Sequence, residues 1–370
     1  MPTALPNTSN GEDTPLLDLV FQEIAKSPAG SIPFSAYMEL ALYHPEYGYY
    51  SDPKRRVIGR KGDFFTSVSV GETFGFLLAE RIGQEWDKWG GDEPVVIVEQ
   101  GAHDGQLARD IVAALRAAGK SCDYRIVEPR VTIREWLQGR PREEDFPEIR
   151  VVASFADAKA PAGLFLCNEL LDAFPFRRMV FEGGKWKEQR VSRIGNELGF
   201  ALGDLDSSPE RYAVELGSDF PDGYETEVCP AIDAWMKEAA SLFECGKWWV
   251  IDYGYESPEY FSPSRNTGTF RCYRNHQASE NPFEAPGEID ITAHVNFSHL
   301  REAAELAGLT SGALTDQHHF LIESARDWLL SIEGAAPSPE LAKRLRQFQT
   351  LTHPGMMGQQ FKVAEFGRGL

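Results

Sequence analysis

Residues 94–115, PVVIVEQGAHDGQLARDIVAAL, constrain what this chain can fold into more than any other stretch. Residues 95–98 form a short run without a polar side chain, the pattern of a strand buried on both faces. A turn follows, Glu99-x-Gly101-x-x-x-Gly105. Beyond it Leu107, Ile111, Val112 and Leu115 fall on one face of a helix that Asp104 is placed to cap. Strand, glycine turn and helix open a doubly wound α/β domain, which binds a nucleoside at the carboxyl ends of its strands. A pyrophosphate asks for G-x-G-x-x-G, so that backbone can approach the phosphates. Here an acid lies two residues before the first glycine, which suits a ligand with an amino group or a positive charge. S-adenosylmethionine carries both. A site for another nucleotide and a plain strand–helix turn are the competing readings.

The rest of the pattern extends that domain. CDYRIVEP reads as a second strand ending at Glu128, 23 positions beyond Gly105, near the ~20-residue offset at which such folds place a carboxylate on ribose hydroxyls. IRVVASF is a third strand and GLFLCN a fourth, with Asn168, Glu169 and Asp172 at or just past its end. KWWVIDYGY is a fifth, and QQFKVAEF closes the chain as a strand reached through helices. Short alternating runs joined by Gly-Gly and Gly-Asn, at about 176–222, have the signature of antiparallel hairpins. Residues 226–245 read as one helix and residues 70–89 as another. The resulting organisation is a disordered amino terminus (1–14), a helical cap or lid (15–92), and an α/β domain (93–370) carrying the β insertion. The Gly-, Pro- and Tyr-rich segment after residue 43 is long for a loop inside a compact domain, which reads as functional or disordered, with a polar connector as the competing reading for GDFFTS. Its tyrosines, 43 to 50, read as packing between cap helices.

Lys+Arg 37 against Asp+Glu 56 leaves a net charge of −19, which disfavours nucleic acid and suits a neutral or cationic partner such as a basic peptide. The five cysteines form no C-x-x-C pair, so reduced thiols are expected rather than a zinc site. Asp290, His294 and His299 lack a further well-spaced partner, and no metal is expected. No apolar run approaches the ~20 residues of a membrane span. The first residues resemble neither a signal peptide nor a presequence, and the expected location is cytoplasmic. A homodimer is allowed but not implied.

Seven segments, YMELALYHPEYGYY, GDFFTS, VVIVEQGAHDG, YRIVEP, NELLDAFPFRRMVF, VIDYGY and GEIDITAHVNFSHL, occur in an order that resembles the MidA-like family. The resemblance implies a Rossmann-like, seven-strand methyltransferase sheet whose last strand is reversed. It also implies S-adenosyl-L-methionine-dependent methylation of a protein arginine, the mitochondrial member acting on a respiratory complex I subunit. Gly62, Asp63 and Thr66 then correspond to a lid over the cofactor; Glu99, Gly101, His103, Gly105, Glu128 and Asn168 to its binding site. NELLDAF also looks similar to the acidic loop of symmetric arginine methyltransferases. There is one departure: the family's turn usually has glycine where this chain has His103. Backbone in the β region would tolerate that side chain and is the expectation at 103; a positive φ would not.

Methyl transfer from a sulfonium is a displacement that needs the nucleophile held in line. Arginine is a poor nucleophile because its guanidinium keeps its proton, with a pKa above ~12. Two carboxylates address both difficulties, fixing the planar fork and polarising one nitrogen. Glu169 and Asp172, three residues apart, form such a pair if the turn is helical. Two alternatives stand beside this: a different nucleophile, with Asn168 holding an amide substrate, and a non-catalytic assembly factor that uses the fold as a scaffold.

Overall fold

The computed structural model describes residues 15–51, 66–89, 93–139, 145–274, 277–279 and 281–369. The central sheet contains β1 (Val95–Gln100), β2 (Cys122–Val127), β3 (Ile149–Val152), β4 (Ala162–Asn168), β5 (Cys245–Tyr255), β6 (Thr310–Asp316) and β7 (Phe361–Arg368). Their spatial order is 3-2-1-4-5-7-6. β7 runs antiparallel to β5 and β6, and the other neighbours are parallel. This is the seven-strand arrangement with a reversed last strand. Chain order reverses between β1 and β4, which opens a crevice at their carboxyl ends.

The apolar run of β1 is buried on both faces as its composition requires. Ile97 packs in a core with the helix Gln106–Ala117, and Val98 in a second core with the helices Ala231–Ala239 and Phe297–Leu306. Among the described residues no helix is long and apolar enough to cross a membrane.

The antiparallel insertion is larger than its sequence pattern. Strands Arg177–Glu182, Lys185–Ile194 and Glu197–Gly203 are joined by Tyr224–Val228, which pairs with the first of them. The predicted helix over 226–245 therefore shortens to Ala231–Ala239. Thr226 and Val228 are β-formers whose side chains are buried once a partner strand is present, and Pro230 begins the helix only after them. Ser31–Pro33 adds another strand, antiparallel to Lys185–Ile194.

The cap does not form one helical unit. Helices α1 (Pro15–Lys26) and α2 (Phe34–Tyr43) pack on the insertion, sharing a core with Phe176, Val191 and Phe270. After a separate single turn, α3 (Ser67–Val70), the helix expected over 70–89 forms as α4 (Thr73–Lys88). Phe74, Leu77 and Ile82 of α4 pack in the β1 core, so position 92 marks no change of core. The amino-terminal disorder expected for 1–14 falls outside the described residues.

Candidate active site

A cavity of about 320 Å3 lies at the carboxyl ends of β1 and β4. From the first of these strands and its turn come Glu99, Gly101 and His103; from the second, Asn168, Glu169 and Asp172. Thr66 also lines it, and its hydroxyl accepts from the Ser69 N–H at 3.1 Å to cap α3. Gly105 shapes the turn but is not a lining residue. Gly62 and Asp63 fall outside the described residues.

The turn departs from expectation at two positions. Gly101 and Gly105 have φ of 86° and 74°, and His103 lies between them at 48°. The β-region backbone that would have accommodated a side chain at 103 is absent. This histidine occupies left-handed backbone that glycine adopts freely and L-residues adopt at an expense of ~1–2 kcal/mol. Asp104 is also not the residue that begins the helix. Gly105 holds the N-cap position, and Asp104 reaches over it to accept from the Gln106 N–H at 3.0 Å. Burial opposes ionisation of Asp104, but His103, Arg109 and the Gln106 N–H together hold its carboxyl below the ordinary range.

Glu99, next to last in β1, has only 2% of its surface exposed, and Tyr124 donates to it at 2.8 Å. Burial pushes its carboxyl up to about 7, against the pull of Tyr124. Glu128 does not line the cavity. Arg130 grips it through Nε at 2.8 Å and Nη2 at 2.7 Å, and through its own N–H at 3.0 Å. Arg130 lines the cavity instead and donates to the Tyr50 carbonyl at 3.0 Å. The strand-end acid was legible, but not the cation two residues on that takes it.

The second carboxylate group is built around a single-turn helix, Leu171–Ala173. Asp252 of β5, fully buried, accepts from the N–H groups of Leu170 at 3.2 Å, Leu171 at 2.9 Å and Asp172 at 3.4 Å. Glu169 itself is not helical, with φ of 53°. This turns its carboxyl to Asn168 Nδ2 at 2.8 Å and to the Ser67 N–H at 3.2 Å. Part of its surface opens to the cavity, yet surrounding protein pushes its carboxyl up to about 8, with Asp172 adding to the effect. Asp172 accepts from the Tyr253 hydroxyl at 2.6 Å, and burial raises its proton affinity as well. Among the described residues, Asn168 Oδ1 is buried without a hydrogen-bond partner.

Sequence reasoning missed three contributors to this wall. Tyr253 lies within VIDYGY, and its position beside Asp252 was the available signal. Tyr43 and Tyr50 line the cavity rather than merely packing cap helices; Tyr43 donates to the Ala173 carbonyl at 2.8 Å and Tyr50 to Asp290 at 2.7 Å. Their partners lie 130 and 240 positions away, and no local pattern announces them. Among the described residues, no cluster of His, Cys, Asp and Glu is arranged to hold a metal.

Residues 77–315 match the model of a family of S-adenosyl-L-methionine-dependent methyltransferases. The chain belongs to this family. It is similar to the mitochondrial protein arginine methyltransferase NDUFAF7 homolog of Drosophila melanogaster, 27% identical over 363 residues, covering 90% of this chain and 80% of that protein. The Homo sapiens NDUFAF7 is 27% identical over 379 residues, covering 94% and 82%. A crystal structure of a Burkholderia thailandensis protein bound to S-adenosyl-homocysteine is 33% identical, with a TM-score of 0.84 over 96% of this chain and 92% of that one. The MidA-like family, the α/β fold and dependence on S-adenosyl-L-methionine are thereby established. The methyltransferase's cavity fits such a cofactor on its own features: a buried acid at the end of β1, a glycine turn without a side chain at 101, and an unsatisfied buried acceptor at Asn168.

Proposed function

We propose that this methyltransferase modifies a guanidinium nitrogen of an arginine in a protein substrate. The observation that carries the reading is the placement of Glu169 and Asp172, two carboxyls of raised proton affinity, in the cavity that Glu99, Gly101 and His103 line. The names of the curated relatives support it. On the same footing, Glu99, Gly101 and His103 hold the methionine end of the cofactor, and Glu128 with Arg130 its ribose side.

When bound, S-adenosylmethionine supplies an electrophilic methyl group on sulfur. The chain's own residues prepare the nucleophile. A guanidinium is planar and keeps its proton, so it is drawn to carboxylates, and its arrival shifts Glu169 and Asp172 to their ionised forms. Tyr253 fixes one oxygen of Asp172 and leaves the other for the substrate. Asp252 holds the turn so that this geometry exists before the substrate arrives. Nitrogen–carbon bond formation accompanies carbon–sulfur cleavage, and Glu169 takes the proton that the nitrogen loses.

We extend the proposal to symmetric methylation and to a client resembling a respiratory complex I subunit. A second nucleophile has one observation in its favour. The Oδ1 of Asn168, without a partner among the described residues, would accept from a substrate amide. Transfer of labelled methyl from S-adenosylmethionine to arginine- and glutamine-bearing peptides separates the two. Glu169→Gln is expected to abolish transfer to the arginine peptide while leaving cofactor affinity unchanged; transfer that survives both Glu169→Gln and Asp172→Asn would remove the carboxylate pair from the mechanism.

A further inference from the structure

β6 and β7 pair antiparallel in the sheet, yet residues 317–360 separate them in the chain, far more than a hairpin needs. That segment contains the helices Gln317–Ser324 and Pro339–Thr352. Phe320, Leu321 and Leu351 bury it in the core that Phe74 and Leu77 of α4 share. Two of its glutamines turn toward α3 and the start of α4. Gln347 accepts from the Thr73 N–H at 3.3 Å and from the Thr73 hydroxyl. It passes so close to Gly71 that a Cβ there would lie 2.1 Å from its Nε2. Gln317 accepts from the Ser67 hydroxyl at 3.0 Å and donates to the Leu351 carbonyl at 3.1 Å.

Gln317 and Ser67 are both fully buried. An amide is costly to bury, and an apolar residue at 317 would avoid that cost. The donor half of Gln317 meets an ordinary need, because Leu351 lies in the last turn of its helix, where carbonyls lack intrahelical partners. The acceptor half serves no helix. It meets Ser67, whose N–H donates to Glu169 Oε1 at 3.2 Å. α3 is one turn of four residues, too short to hold its own place. Its capping box closes the turn on itself but does not set it against Glu169. Glu169 in turn, with φ of 53°, occupies backbone that persists only when its surroundings hold it.

We propose that Gln317 is a positioning residue for methyl transfer: it fixes Ser67 so that the Ser67 N–H stays on the Glu169 carboxyl. The segment between β6 and β7 thereby becomes part of the active-site support. The proposal rests on the role given to Glu169 above and adds what holds that residue in place. Among the described residues, the other ionisable groups acting on Glu169 are Asp172 of its own turn and Asp252 of β5, and α3 carries no charge.

The test follows the Glu169 carboxyl carbon by NMR through a pH titration of the full chain labelled at glutamate Cδ, its signal being the one missing from Glu169→Gln. Ser67→Ala keeps the N–H and removes only the tie to Gln317; Gln317→Met removes the tie from the other side. Each is expected to raise the proton affinity of Glu169 about threefold or more, because the Ser67 N–H favours its carboxylate. Combining them should add nothing further, as required if Gln317 acts through Ser67. The double variant also leaves neither buried partner of that bond unsatisfied, which keeps the test valid if Gln317→Met alone fails to fold. A titration that Ser67→Ala leaves in place, or shifts that add in the double variant, would overturn the proposal. Labelled methyl transfer to an arginine peptide is the second arm. Slower transfer by Ser67→Ala, with the pH–rate profile moved to higher pH, is expected; wild-type rate and profile would overturn the positioning role. No transfer by the wild type would overturn the arginine reading instead, and the titration would then decide by itself whether Gln317 positions Glu169.

Discussion

Glu169→Gln should stabilise the free protein, and by an amount that grows with pH. Glutamate ordinarily titrates near 4.5, and in the fold Glu169 is pushed up to about 8. Between those values the folded chain keeps a proton that the unfolded chain has lost. Stability is therefore complete below about 4.5 and declines as pH rises toward 8, by at most ~1.4 kcal/mol per pH unit. At pH 7 this amounts to ~3 kcal/mol as an upper bound, and partial exposure of the side chain reduces it to about 1–2 kcal/mol. Glutamine cannot ionise, and its carbonyl oxygen can still accept from Asn168 Nδ2 and the Ser67 N–H, which both reach Oε1. Urea unfolding of wild type and variant at pH 4.5, 6 and 7.5 measures the effect. The curves should nearly coincide at pH 4.5 and separate in favour of the variant at pH 7.5, with Tm a few degrees higher. A variant less stable than wild type at pH 7.5, or a difference that does not change with pH, would refute the claim that the fold holds this carboxyl protonated. On the expected outcome the same residue is both a source of instability in the free protein and a requirement for methyl transfer.

Three further outcomes follow from the site. His103→Gly relieves left-handed backbone but frees the unfolded chain by up to ~1 kcal/mol, so stability should stay within ~1 kcal/mol of wild type, while His103→Val should lose about 1–2 kcal/mol because a β-branched residue resists positive φ; a valine variant as stable as wild type in urea would contradict the observed backbone. Glu128→Ala removes the partner of Arg130 and is expected to weaken S-adenosylhomocysteine by about 1–3 kcal/mol in calorimetry, and unchanged affinity would leave Glu128 with no part in the cofactor site. Tyr253→Phe deletes the 2.6 Å bond to Asp172 and should lower methyl transfer about tenfold or more. Its pH–rate profile should also move to higher pH, because the hydroxyl favours the Asp172 carboxylate; a profile that stays in place would show that Tyr253 does not act through Asp172.

Local chemistry carried a large part of the architecture. The apolar run at 95–98 could only be a strand with protein on both faces, and the glycine turn after it could only lead into a helix packed on that strand. Glu99 and Asn168 were each legible near the carboxyl end of a strand, where such folds bind their ligands, while their adjacency came from the sheet order. NELLDAF placed two acids three residues apart, which was enough to mark Glu169 and Asp172. Other features are not local quantities. Whether residue 103 needed a positive φ depended on how the turn closes over β1, and sequence reading chose the wrong side. Thr226–Val228 had the composition of either a strand or a helix start, and only the free edge of Arg177–Glu182 decided between them. Tyr50 meets Asp290 across 240 positions, and Ser67 meets Gln317 only because the segment between β6 and β7 packs against α3. Periodicity and turn chemistry act over a few residues and can be read directly. Burial, partner choice and the proton affinity of Glu169 arise from segments brought together only when the chain has packed.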